Sequence, residues 1–91
     1  MIITKADKFA SWGVTADELY AYRSKIKNLT WLIPTDLLFG GQKGIYGGRG
    51  SGAFHHELGV LIDNSQNLQE FHAGLIKLAE RWSIINIPLI K

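Results

Sequence analysis

The chain has 91 residues, 46% of them hydrophobic and 20% charged, with no cysteine. That composition suits one packed core and leads us to expect a single domain over residues 1–91, while excluding global disorder, a disulfide framework and thiolate chemistry. Ten Lys plus Arg against eight Asp plus Glu leave a formal charge of +2, too small a surplus to establish a polyanionic partner, so the positions of the cations must decide.

Thr4, Asp7, Phe9 and Trp12 predict a short first helix that ends at Gly13, where a left-handed residue closes a helix at little steric cost. Thr15 and Glu18 then form a capping box, with Val14 and Leu19 placed as its hydrophobic staple. Leu19, Tyr22, Ile26 and Leu29 recur at spacings of three and four, so a second helix runs to about Asn28 with one apolar stripe. Thr30 to Ile33 reads as a strand that Pro34 closes or confines to an edge. Residues 36–39 are ambiguous. Residues 40–52 hold seven of the ten glycines, which disfavours both helix and regular strand and predicts a long loop or hairpin tip.

Ala53 to Asp63 alternates, with Phe54, His56, Leu58, Val60 and Ile62 on one side and His55, Glu57, Gly59 and Leu61 on the other, which predicts a strand with His56 in the core. Leu68, Phe71, His72, Leu75, Ala79 and Trp82 trace a helical stripe. Ile84 to Ile90 is apolar on both faces and reads as a further strand, with Pro88 near its end. A strand, helix, strand unit follows, with a right-handed crossover. The expected fold is α+β: two N-terminal helices, a sheet of three or four strands, and a third long helix packed across it.

The glycine-rich segment is the leading candidate site. Lys43, Tyr46, Gly47, Gly48, Arg49, Gly50 and Ser51 combine two cations, a stackable ring and glycine amides that approach a phosphate closely, without any acid. The segment lacks the Gly-Lys-Ser/Thr ending of a Walker loop, and no helix is foreseen directly after it, so the dinucleotide fingerprint is set aside. Tyr20, Arg23, Lys25 and Lys27 form a secondary basic patch, although Asp17 and Glu18 at the start of that helix oppose its reading as a DNA-recognition helix. His55 and Glu57, placed on one strand face, are the weak catalytic candidates, as an imidazole and carboxylate suited to acid-base work. His72 is assigned to the core, so no metal site and no cofactor are expected.

The leading expectation is a small non-catalytic module that binds an anionic ligand, either a nucleotide or a nucleic-acid backbone. The alternatives are a protein-binding regulator or inhibitor using the loop and exposed aromatics, and a nuclease-like enzyme using His55 and Glu57. Homo-oligomerisation is expected from the high apolar content and the two-faced C-terminal segment. No apolar run reaches the roughly 20 residues of a membrane span and no signal-peptide pattern opens the chain, so a cytoplasmic, non-membrane protein is expected.

Overall fold

A computed structural model describes residues 2–90. A 3-10 turn, Ile2–Lys5, leads into α1, Ala6–Ser11. The end of α1 is closed by a paired bond pattern in which Val14 N–H donates to Phe9 O and Gly13 N–H to Ala10 O, both at 3.0 Å. This closure puts Gly13 at φ +84°, the left-handed conformation foreseen for it. Helix α2, Ala16–Ile26, begins with the expected capping box: Thr15 Oγ1 accepts from Glu18 N–H at 3.2 Å and Glu18 Oε1 accepts from Thr15 N–H at 2.9 Å. Leu19, Tyr22 and Ile26 face the core, as the stripe requires.

Strands β1, Thr30–Leu32, and β2, Lys43–Ile45, pair antiparallel in the register Thr30↔Ile45, Trp31↔Gly44, Leu32↔Lys43. The glycine-rich segment is therefore not a hairpin tip. The connection of the hairpin is 33–42, and the segment contains β2 and the start of the next helix. Glycine permits this because Trp31 leaves no room for a side chain opposite it. A Cβ on Gly44 would lie 2.1 Å from Arg49 O and 2.5 Å from Trp31 Nε1.

Helix α3, Ser51–Asn64, replaces the strand expected over 53–63. Phe54, Leu58 and Ile62 satisfy a period of two and a period of four equally, and the fold uses the second, burying these three while His56 and Val60 face solvent. His56 is therefore not a core residue. The long-range partner decides the outcome: α4, Leu68–Arg81, packs antiparallel on α3, and Gly74 opens the space that Leu61 Cδ1 occupies, 2.1 Å from where a Cβ would stand. Helix α4 buries Phe71, Leu75 and Ala79 of its predicted stripe together with Leu78, which the stripe omitted, leaves Leu68 and His72 half-buried, and is capped by Asn67 Oδ1, which accepts from Glu70 N–H at 2.9 Å.

Residues 84–90 form no strand, so neither the strand, helix, strand unit nor the three or four strands are present among the described residues; the sheet has two. Instead of pairing, the tail buries Ile84 and Ile90 against the core and is held by Tyr22, whose hydroxyl donates to Pro88 O at 2.7 Å. The result is a mixed α+β fold of four α-helices and one small antiparallel hairpin. Its buried residues form one cluster with two aromatic centres. Phe9, Trp12, Tyr22 and Phe71 meet at one, and Trp31, Phe54 and Trp82 at the other, where Trp31 stacks on Phe54 with centroids 4.7 Å apart. No helix among the described residues is long and apolar enough to cross a membrane.

Candidate functional site

Strand alternation gives the hairpin two unlike faces. Trp31 and Gly44 point inward onto Phe54 and Trp82, whereas Thr30, Leu32, Lys43 and Ile45 are exposed. Over the outer face lies a cleft of about 450 Å³ lined by Thr30, Trp31, Leu32, Lys43, Gly44, Ile45, Arg49 and Ser83. Both cation-bearing residues of the glycine-rich segment are among its lining, which contains no carboxylate. Arg49 is held from one side: Nη1 donates to Gln42 Oε1 at 2.8 Å, and the guanidinium lies 5.2 Å from the centroid of the Phe39 ring.

The turn that follows β2 does not cradle an anion with its amides. Gly47 N–H donates to Ser51 Oγ at 3.0 Å, Gly48 N–H to Ile45 O at 2.9 Å and Ser51 N–H to Gly48 O at 3.2 Å, so three of the candidate donors are spent within the turn. Gly50, at φ +83°, instead lets the chain pass close to Ile33 and Trp31. A helix does start here, within the end of the segment at Ser51 and contrary to expectation, with Gly50 as an N-cap that has no side chain to offer. Tyr46 turns away from the cleft and packs on His55, with ring centroids 4.8 Å apart.

His55 and Glu57 are separated by the helix that replaces their strand, since residues two apart on a helix point in different directions. Glu57 belongs to a structural junction. Its Oε1 accepts from Arg81 Nε and Trp82 Nε1, both at 2.8 Å, and its Oε2 accepts from Arg81 Nη2 at 2.8 Å. Arg81 also grips Asp36 with Nη1 and Nη2, at 2.9 and 3.0 Å, and so ties the hairpin connection to α3 and α4. The hydrogen bonds from Arg81 hold both carboxylates below their usual range, and the two carboxylates in turn raise Arg81.

His55 Nε2 and His72 Nε2 are buried without a hydrogen-bond partner among the described residues, and burial lowers both imidazoles from their ordinary value. His72 thus lies on its stripe but is not a satisfied core histidine. No group of three metal-ligating side chains exists among the described residues.

Within the secondary patch, Tyr20, Arg23 and Lys27 recur at spacings of three and four along α2 and its C-cap, and Lys25 falls on a different side. Tyr20, Lys25 and Lys27 are exposed and Arg23 half-buried, and Lys25 faces a separate depression that it shares with Asp17 and Glu18. Of the eight cleft residues only Lys43 and Arg49 were foreseen as site residues from sequence, and the two hydroxyls, of Thr30 and Ser83, were among those missed. Thr30 reads only as a strand residue, and Ser83 follows a helix whose end carries no glycine or asparagine to mark it.

No family model matches the chain, and no curated protein or solved structure shows significant similarity to it. The functional reading therefore rests on the chemistry of the cleft.

Proposed function

We propose that the chain is a non-catalytic binding module whose ligand is a small anion held in the hairpin cleft. The observation that carries this reading is the convergence of Lys43 and Arg49 on one cleft without an acid in its lining. Two cations raise the local anion concentration, and the partly apolar walls formed by Leu32 and Ile45 offer surface to an organic group on the ligand. The volume falls within the range of about 300 to 1,000 Å³ typical of small-ligand sites. Nucleotides fit this description better than long nucleic-acid backbones, because only two cations line the cleft and a long backbone asks for many phosphate contacts.

Thermal-shift titration with inorganic phosphate, AMP and a short RNA at two salt concentrations tests the proposal. Stabilisation by phosphate or AMP that disappears in the double variant Lys43→Ala, Arg49→Ala is the expected result. No stabilisation by any of the three anions would end it.

A protein-binding role is a second reading, and its support is the apolar connection of the hairpin, where Leu38 is 79% and Phe39 49% exposed. Self-association is also proposed. Its motive is no longer a strand edge at 84–90 but the exposed Ile76, Ile85 and Leu89, which border one depression at the end of α4. A cytoplasmic setting is part of the same proposal and rests on the cysteine-free composition. The hydrolytic alternative has no support once His55 and Glu57 are apart.

A further inference from the structure

Helices α1 and α4 end with the same bond pattern but with different residues at the left-handed position. At α4, Ile84 N–H donates to Ala79 O at 2.8 Å and Ser83 N–H to Glu80 O at 3.4 Å, matching the bonds from Val14 and Gly13 at α1. Gly13 takes its positive φ without a Cβ to obstruct it, whereas Ser83 adopts φ +54° with one. Glycine is the better residue for this closure, and the chain uses it where nothing further is asked of the position. Ser83 is exposed, borders the hairpin cleft together with three neighbouring depressions, and its hydroxyl has no hydrogen-bond partner among the described residues. Thr30 brings a second hydroxyl to the same cleft.

We propose that the cleft takes a phosphomonoester bearing an apolar group, and that the Ser83 hydroxyl donates to its phosphoryl oxygens. This inference rests on the anion-binding reading above and adds the ligand class. A phosphomonoester carries close to two negative charges and three terminal oxygens at neutral pH. Lys43 and Arg49 match the charge, and the hydroxyls of Ser83 and Thr30 supply the additional neutral donors that a tetrahedral oxyanion accepts. A carboxylate offers only two oxygens in one plane and would leave part of this donor set unused. Leu32 and Ile45 provide the wall for the organic group.

Calorimetric titration of wild type, Ser83→Ala, Ser83→Gly and Lys43→Ala with inorganic phosphate and phenyl phosphate tests this, alongside thermal melts. Phenyl phosphate should bind wild type at least about fivefold more tightly than inorganic phosphate, because its ring buries apolar area against the wall. Both Ser83 variants should weaken phenyl phosphate about tenfold, the effect of one lost hydrogen bond to a charged group. Ser83→Gly should at the same time melt about 3 to 6 °C higher than wild type, since the left-handed strain is relieved. That opposite movement of stability and affinity separates a ligand contact from a purely structural serine.

If Lys43→Ala loses binding while both Ser83 variants keep it, the role of Ser83 is overturned and the anion cleft stands. Equal affinity for the two phosphates overturns the assignment of an organic phosphomonoester. Failure of wild type to bind either one overturns this inference and the anion-binding reading together.

Discussion

The two faces of the hairpin use neighbouring residues for opposite ends. Inward, Trp31 lies against Phe54 and Trp82 and donates its indole N–H to Arg49 O at 3.0 Å, and the strand opposite it has nothing larger than Gly44. Outward, one residue to either side of Gly44, Lys43 and Ile45 are exposed and border an open cleft. Gly44 and Gly50, which suggest an anion cradle in the sequence, are thus used for close packing, and the side chains that border the cleft are those on either side of Gly44. Substitutions on the inner face should therefore be read in stability and those on the outer face in binding.

The largest effect is expected at Gly44→Ala. The new Cβ would meet backbone as well as the indole, neither of which yields easily, so destabilisation by about 3 kcal/mol is expected in urea unfolding. A cost below about 0.5 kcal/mol would show that the inner face is loosely packed and would remove the contrast between the faces.

Next comes the anchor beneath the hairpin connection. Glu57→Ala leaves the indole N–H of the fully buried Trp82 without its acceptor and should cost about 2 kcal/mol. The same variant bears on pH. Asp36 and Glu57 hold folded values below those of the unfolded chain, so the stability they contribute is complete above the ordinary carboxylate range near pH 4 and is lost as pH falls through their lowered values. Glu57→Ala should flatten that acid limb in urea midpoints measured from pH 5 to pH 2.5, and an unchanged slope would assign it to other carboxylates.

A smaller pH effect is expected nearer neutrality. His55 and His72 are both lowered by burial, so on acidification the unfolded chain takes up protons first. Stability should fall as pH drops below about 6.5, the ordinary histidine value, and level off below the folded values. His72→Leu, which removes one orphaned nitrogen, should reduce the loss between pH 7.5 and pH 5.5; the same loss in the variant would clear His72 of any part in it.

The smallest effect on stability is expected on the outer face. Lys43→Ala should unfold within about 0.5 kcal/mol of wild type while losing anion affinity. A clear destabilisation in this variant would mean that Lys43 has a packing role and that the two faces are less distinct than their exposure suggests.

The parts of the fold legible in the sequence are those completed within a few residues. The capping box of Thr15 and Glu18, the closure at Gly13 and the stripe of α4 each close their bonds or their apolar face locally, so spacing alone identifies them. In the candidate site, Lys43 and Arg49 stood out by composition, while Tyr46 and the amides of Gly47, Gly48 and Ser51 turned out to be engaged elsewhere.

Tertiary structure decided the rest, because the pattern at those places is degenerate. Phe54, Leu58 and Ile62 fit a strand or a helix, and what selects the helix is Leu61 filling the space above Gly74 and Glu57 meeting Arg81 and Trp82, partners 13 to 25 residues away in sequence. Ile84 to Ile90 carries the apolar content of a buried strand, yet Tyr22, on α2, holds it as an irregular tail. The cleft combines β1, β2, Arg49 and Ser83, two residues beyond α4, four places that no local spacing relates. Periodicity reports which residues want burial, and only the surface they are buried against determines the period at which the chain delivers them.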